Sequence, residues 1–228
     1  MRSLALILSL LAMTLGSPAR AEGPVVVELY TSQGCSSCPP ADRLLRDIAM
    51  RSDVIAIALH VDYWDYIGWE DSFADPRFTR RQKAYARAAG HGTIYTPQFV
   101  VGGTDHVVGS RPEELMERIA AHHALPRAVT LETRRTDDSL AIRATGAAAD
   151  YIVQLVRIHP SATVEILRGE NAGHTLTYGQ IATDWQVVGE WAGGEALDLE
   201  IALEGLEPAV VIIQHNGMGA IAAAAVVE

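Results

Sequence analysis

The sequence predicts an α/β N-terminal half, residues 22–126, followed by an all-β, sandwich-like C-terminal half, residues 127–228. Two observations predict this organisation. Up to residue 123, continuous apolar runs typical of buried strands alternate with segments of helical period. Beyond that point, short strand-like runs are separated by turn residues, and no segment has the period of a long helix. We place the boundary at Pro126-Arg127.

The first 21 residues have the pattern of a signal peptide. A short basic start, Met1-Arg2-Ser3, is followed by an apolar stretch, Leu4 to Leu15, that is too short to span a bilayer. An Ala-x-Ala pattern then ends at Ala21 and predicts cleavage there. We therefore expect an exported protein, in the periplasm or outside the cell, where disulfides persist. The alternative is a buried or membrane-anchoring N-terminal helix.

Charge and hydropathy narrow the range of partners. Cleavage would remove Arg2 and Arg20 and change the formal net charge from −10 to −12. Such an acidic chain is a poor partner for nucleic acid or for an anionic membrane. No segment after the leader is long and apolar enough to be transmembrane, so we expect no membrane insertion after cleavage. The sequence does not indicate an oligomeric state.

Local signals place the elements of the first half. Val25 to Tyr30 and Val54 to Val61 are apolar runs that predict strands, with an amphipathic helix between them. Asp75-Pro76 predicts a helix N-cap with proline in the first turn, and Gly90 predicts the end of that helix. The remaining signals are a hairpin through Gly102-Gly103, flanked by Pro97 to Val101 and His106 to Val108, and a capping box at Ser110-x-x-Glu113 that opens a helix with Leu115, Met116 and Ile119.

Strand-like runs fill the second half. They are separated by turn residues such as Gly146, His159-Pro160 and Asn216-Gly217. The alanines at 220 to 225 are predicted to lie at the end of a final strand. The earlier runs are Val129 to Arg135, Leu140 to Thr145, Ile152 to Ile158, Thr163 to Leu167, Leu197 to Leu203 and Val210 to Gln214.

The only two cysteines of the chain, Cys35 and Cys38, lie directly between the first predicted strand and the first helix. The positive end of a helix dipole and its unpaired N–H groups stabilise a thiolate, so this arrangement predicts a reactive dithiol. With no third cysteine, the pair can bond only to itself or to another molecule. A structural disulfide and a metal site remain open, although a structural zinc site needs about four ligands.

The first half resembles a thioredoxin-type domain. The resemblance rests on the Cys35-Ser36-Ser37-Cys38 site after a strand, the Thr96-Pro97 pair opening a later strand, and the closing hairpin plus helix. More narrowly, the whole chain resembles a family of secreted bacterial proteins catalogued as domain of unknown function 1223. The stretches that carry this second resemblance are Leu29 to Asp42, Val61 to Trp69, Tyr95 to Gln98 and Arg168 to Asn171. The family resemblance implies a fold but no established activity.

The thioredoxin resemblance implies that Pro97 is preceded by a cis bond and packs beside the disulfide. Ser36 and Ser37 stand where thioredoxin has Gly-Pro, so its reduction potential does not carry over to this chain. Because a helix interior does not tolerate proline, Pro39-Pro40 predicts that the helix begins at Cys38 with Pro39 in its first turn. Cys35 would then lie just outside the helix.

Other segments have a functional and a structural interpretation. Asp62 to Asp71 is rich in aromatic and acidic residues. It is either a rim for substrate, where Trp64 and Trp69 would lie beside the dithiol together with Thr96, or an insertion whose aromatic rings pack on the domain. Arg168 to His174 is either an anion-binding turn or an ordinary loop. The cluster Arg77, Arg80, Arg81, Lys83 and Arg87 is predicted to be a solvated helix face. The histidines lack ligand spacing, so we expect no metal and no organic cofactor.

The residues together predict a thiol–disulfide oxidoreductase of unassigned direction. Cys35 would be the attacking or attacked sulfur, Cys38 would resolve the mixed disulfide, and Pro97 would line the side that binds the substrate backbone. The partners would be protein thiols or disulfides, or a redox partner protein. The alternative is a non-catalytic binding module whose disulfide only fastens the loop.

Overall fold

A computed structural model of the chain describes residues 23–227, so the predicted signal peptide lies outside the described residues. The described part of the first half contains three α-helices, four strands and a 3-10 turn at Asp65–Ile67. In chain order the helices and strands are β1 (Val25–Thr31), α1 (Pro39–Ile48), β2 (Val54–His60), α2 (Pro76–Ala88), β3 (Gln98–Val101), β4 (Asp105–Val108) and α3 (Pro112–His123). Among the described residues, none of the helices is long and apolar enough to cross a membrane.

The described part of the second half consists of strands. They are β5 (Val129–Arg135), β6 (Ser139–Gly146), β7 (Tyr151–Glu165), β8 (Thr175–Trp191), β9 (Leu197–Ala202), β10 (Ala209–His215) and β11 (Ile221–Val227). The break predicted at His159-Pro160 is wrong, because β7 runs through it. Beyond Arg157, β7 pairs with β8 but no longer with β10. One edge of β7 is therefore unpaired there, and a proline, which has no N–H group to donate, is tolerated at such an edge. Strand β8 was not predicted.

One eight-stranded sheet draws strands from both halves of the chain. Its order is β11-β10-β7-β8-β2-β1-β3-β4, and β5-β6-β9 form a second sheet. In the centre, β1 is parallel to β2 and antiparallel to β3. The boundary predicted at Pro126-Arg127 therefore does not coincide with a break in the sheet, and the division into two domains stays a prediction.

The two faces of the sheet are covered by different elements. On one face, Val26 and Tyr30 of β1 belong to a core with Phe78 of α2. On the other face, apolar side chains of α1 and α3 pack against the alternate residues of β1. Towards the β11 edge, the three-stranded sheet packs on β7, β10 and β11, through a core that includes Leu140, Val153 and Val211. The predicted strands of the second half thus form two facing layers, one of which continues the sheet of the first half.

The helix boundaries test two of the capping predictions. Asp75 is the N-cap of α2 and its carboxylate accepts a hydrogen bond from the N–H of Arg77, which confirms the cap. The capping box predicted at Ser110-x-x-Glu113 is wrong. Pro112 occupies the first position of α3, so the N-cap is Arg111 and Ser110 lies outside the helix.

A buried ion pair crosses the interface between α2 and the sheet. Glu28 of β1 is fully buried and both of its oxygens lie 2.8 Å from nitrogens of Arg81. The hydroxyl groups of Tyr30 and Tyr85 donate to the same carboxylate. Arg81 also stacks over the ring of Trp185 on β8 at 3.9 Å. The prediction that Arg81 belongs to a solvated face is therefore wrong, whereas Arg80, Lys83 and Arg87 are exposed as predicted.

Candidate functional site

The cysteines lie in the loop that joins β1 to α1. Cys35 and Cys38 form a disulfide with their Cα atoms 5.4 Å apart. Both side chains are fully buried, whereas Ser36 and Ser37 between them are exposed. A partner molecule therefore meets the two serines first and reaches the sulfur atoms only if the loop opens.

The start of α1 offers a thiolate fewer donors than an ordinary helix. Cys38 is the N-cap residue, as predicted, and the next two positions are Pro39 and Pro40, which have no N–H group. The N–H groups of Ala41 and Asp42 already donate to the carbonyl of Cys38. The sulfur of Cys35 instead lies 3.4 Å from the hydroxyl oxygen of Ser37. A thiolate at Cys35 would depend on this hydroxyl and on the helix dipole.

Asp71 fixes the segment that leads into the cysteines. Its carboxylate is buried and accepts hydrogen bonds from the N–H of Gln33 at 2.7 Å and of Phe73 at 2.9 Å. The ring Nδ1 of His60 lies 2.7 Å from the same carboxylate. One side chain thus connects the end of β2, the aromatic segment and the loop two residues before Cys35.

The predicted rim residues lie around the loop. Trp69 donates from its indole N–H to the side chain of Gln33 at 2.9 Å, and Trp64 donates to the hydroxyl of Thr96 at 2.7 Å. The Cβ of Trp64 lies 3.2 Å from the point where a side chain on Gly34 would begin. Trp64 therefore spans the distance between the cysteine loop and Thr96. Its neighbour Tyr66, which stacks on it, is 82% exposed.

Pro97 lies at the same end of the sheet. The Thr96-Pro97 bond is cis, which confirms that expectation. Gln98 pairs with Tyr30 in the antiparallel register of β3 and β1, so Pro97 lies beside the point where β1 leads into the cysteine loop. The packing of Pro97 against the disulfide and its role in binding substrate both stay predictions.

The loop between β7 and β8, residues 166–174, reaches back to the cysteines from the second half. Asn171 is buried, and its side-chain amide donates to the carbonyl oxygens of Gln33 at 2.8 Å and Cys35 at 3.0 Å. Glu170 accepts hydrogen bonds from both the N–H and the hydroxyl of Ser36. The sequence identified this stretch as a loop but gave no sign of its contact with the disulfide.

Unpartnered polar atoms lie behind the disulfide loop. Asp42 of α1 is buried, and one oxygen accepts a hydrogen bond from Thr31 while the other has no partner among the described protein atoms. The hydroxyl of Tyr178 and the Nε of Arg46 are unpartnered in the same way. All three side chains line a cavity of about 190 Å³ between α1 and β8.

Burial raises the pKa of Asp42 to about 6, and Asp71 adds to the effect, although His60, Thr31 and Arg46 oppose it. The unfolded value is about 4. The stability that protonated Asp42 provides is therefore fully present below pH 4 and is lost as the pH rises through 6. At pH 8 the ionised carboxylate costs the folded state on the order of 3 kcal/mol.

Replacement of this carboxyl by a neutral isostere should stabilise the protein at alkaline pH. We expect Asp42→Asn to increase the free energy of unfolding by about 1–3 kcal/mol at pH 8, with the gain disappearing below pH 4. Urea unfolding at pH 4, 6 and 8 measures it. Asp47→Asn, on the exposed side of the same helix, is the matched control and should change little. A gain that is the same at every pH would contradict the assignment of the buried charge to Asp42.

The histidines do not form a cluster in the described residues. Among residues 23–227, no group of three or more His, Cys, Asp or Glu side chains has an arrangement that could hold a metal ion. His60 is buried between the rings of Phe73 and Tyr178. His122 lies in the last turn of α3 and pairs with Asp105 at 3.0 Å.

Comparison with solved structures identifies two similar proteins. The X-ray crystal structure of protein AGR_C_4864 from Agrobacterium tumefaciens is 31% identical, with a TM-score of 0.79, over 92% of this chain and 96% of that one. HBP35 of Porphyromonas gingivalis is 15% identical, with a TM-score of 0.59, over 90% of this chain and 75% of that one, which is a likeness of fold alone. No curated protein matches the chain.

A family model described as "Protein of unknown function (DUF1223)" matches residues 26–214. The match begins inside β1, ends inside β10 and includes the disulfide, the aromatic segment and the loop of residues 166–174. The family is thus defined over both halves of the chain. On this match and on the likeness to the Agrobacterium protein, the chain belongs to the DUF1223 family.

Proposed function

We propose that the protein is an exported, thioredoxin-like thiol–disulfide oxidoreductase that uses Cys35 and Cys38. One observation carries the proposal: the hydroxyl of Ser37, on the exposed turn between the cysteines, lies 3.4 Å from the sulfur of Cys35. Cys35 therefore has a hydrogen-bond donor on its solvent side that can stabilise a thiolate. The parallel pairing of β1 with β2, with α1 between them in the chain, supports the thioredoxin-like part of the proposal.

The exchange needs no group beyond the two sulfur atoms and a partner. In one direction, the Cys35 thiolate attacks a disulfide of the partner, forming a mixed disulfide and releasing a partner thiolate, which takes a proton from solvent. Cys38 then loses its proton and attacks the sulfur of Cys35, which releases the second partner thiolate and restores the Cys35–Cys38 bond. The reverse sequence oxidises a partner dithiol.

A non-catalytic binding module is the second candidate. It is favoured by the burial of both sulfur atoms and by the hydrogen bonds from Asn171 and to Asp71, which fasten the loop on either side. In that case the disulfide would hold the loop in shape, and the exposed ring of Tyr66 would belong to an interaction surface. The two candidates differ in whether Cys35 exchanges with other sulfur atoms.

Trapping of mixed disulfides separates the two candidates. We expect Cys38→Ser, expressed with its leader, to accumulate mixed disulfides with client proteins, because the remaining Cys35 cannot be released by Cys38. Cys35→Ser should accumulate at least about tenfold less, since Cys38 is the resolving sulfur. Non-reducing electrophoresis followed by mass spectrometry measures the adducts. Trapping by neither variant would favour the binding module, and equal trapping by both would contradict the assignment of Cys35 as the attacking sulfur.

A further inference from the structure

A carboxylate from the second half of the chain touches the disulfide loop. Glu170 Oε2 lies 2.7 Å from the hydroxyl oxygen of Ser36 and 3.2 Å from its backbone nitrogen, and both groups donate to it. Ser36 is the residue directly after Cys35. The hydrogen bonds from the Ser36 side chain and backbone lower the pKa of Glu170, so the group is a full negative charge at neutral pH.

The charge of Glu170 is not neutralised by an ion pair among the described residues. Gly169 brings the loop against Ile67 and Trp69 of the aromatic segment, where Glu70 is exposed. Asp65 belongs to the same segment and accepts a hydrogen bond from the N–H of Asp71. The one cation in the stretch Arg168 to Asn171 is the exposed Arg168, two positions before Glu170. Among the described residues, Glu170 is the charged side chain that hydrogen-bonds to Ser36.

The contact also occupies a backbone N–H group that could otherwise donate a hydrogen bond to the sulfur of Cys35. The N–H of Ser36 donates to Glu170, and the N–H of Cys38 donates to the carbonyl of Cys35. A negatively charged group that approaches Cys35 meets the Glu170 carboxylate instead of a free N–H group. Charges that meet about 4 Å apart interact noticeably even in water, and salt weakens the interaction.

We propose that Glu170 is a specificity-determining residue that makes the disulfide exchange preferentially with partners carrying positive charge beside their cysteine. This inference rests on the proposed function in that Cys35 is the sulfur that exchanges. The substrate class is a thiol or disulfide flanked by lysine or arginine side chains, and small acidic thiols are disfavoured. The second half of the chain thereby takes part in partner selection through the loop of residues 166–174.

Small thiols of similar size and different charge test the proposal on the full-length mature protein. Cysteamine, 2-mercaptoethanol and thioglycolate are cationic, neutral and anionic. The thiolate attacks Cys35, the Cys35–Cys38 bond breaks, and Cys38 leaves as a thiolate that takes a proton. A second thiol then releases Cys35 and forms the small disulfide, so two thiols are oxidised for each disulfide reduced. Rates are measured by alkylation and mass, and are corrected for the thiolate fraction of each reagent.

We expect the ratio of the cysteamine rate to the thioglycolate rate to fall about five- to twentyfold in Glu170→Gln at low salt, with 2-mercaptoethanol changing least. The wild-type ratio should fall towards that of the variant in 0.5 M salt. Glu165→Gln is the matched control, since Glu165 is exposed on β7 and has the same charge. An unchanged ratio in Glu170→Gln, or an equal change in Glu165→Gln, would overturn the proposal. Client trapping by Cys38→Ser is scored separately, so its failure would leave the charge selectivity still measurable.

Discussion

Glu28→Gln should destabilise the protein by about 3–5 kcal/mol, because it leaves the guanidinium of Arg81 without its counter-charge in a buried position. The side chain of Arg81 is 9% exposed and that of Glu28 is fully buried. The substitution also weakens the acceptor for the hydroxyl groups of Tyr30 and Tyr85. Urea unfolding, followed by circular dichroism at pH 7, measures the loss.

A double variant and a surface variant make this expectation specific. In Glu28→Gln with Arg81→Gln no buried charge remains unpaired, so the double variant should be more stable than Glu28→Gln alone. Glu114→Gln removes the partner of Arg111 in an exposed pair and should cost less than about 1 kcal/mol. If Glu28→Gln lowered the free energy of unfolding no more than Glu114→Gln does, the buried pair would contribute no more to stability than an exposed pair.

Asp71→Ala is expected to loosen the cysteine loop as well as destabilise the fold. The substitution removes the acceptor of three groups, namely the buried N–H of Gln33, the buried ring of His60 and the part-buried N–H of Phe73. Each buried polar group without a partner costs about 1–3 kcal/mol, so a total loss of about 3–5 kcal/mol is expected. The disulfide should be reduced by 2-mercaptoethanol at least about tenfold faster, because Gln33 holds the entry to the loop.

Ser72→Ala is the matched control for this second expectation. Ser72 is exposed and accepts one hydrogen bond from the side chain of Gln33, so its loss should change neither stability nor reduction rate by much. Hydrogen exchange of the Gln33 amide reports the loosening directly. A reduction rate in Asp71→Ala that equals the wild-type rate would mean that burial of the sulfur atoms does not depend on Asp71.

Local signals in the sequence predicted the features that depend on neighbouring residues. The strand before Cys35, the helix start at Cys38 and the cap at Asp75 each follow from the chemistry of adjacent positions. The cis bond before Pro97 came from the resemblance, because an X-Pro bond alone is cis in only about 5–6% of cases. The strand, the helix start and the cap depend on short stretches of chain, so they can be predicted without the rest of the fold.

The features that were missed depend on contacts between distant parts of the chain. Arg81 has the composition of a surface helix residue, and only the arrival of α2 over Glu28 buries it. Buried and exposed residues do not alternate regularly along β8. The two-residue period that predicts a strand is therefore absent from its sequence. Glu170 and Asn171 contact the cysteine loop from more than 130 positions away, and nothing in their own neighbourhood specifies that contact.

That separation also sets an order of events during synthesis. Ser36 is made 134 residues before Glu170. At about 5–20 residues per second, the cysteines are made roughly 7 to 27 seconds before the loop that fastens them. During this interval the hydrogen bonds from Asn171 to Gln33 and Cys35, and from Ser36 to Glu170, cannot form. The cysteine loop of the growing chain is therefore held by fewer contacts than that of the finished protein.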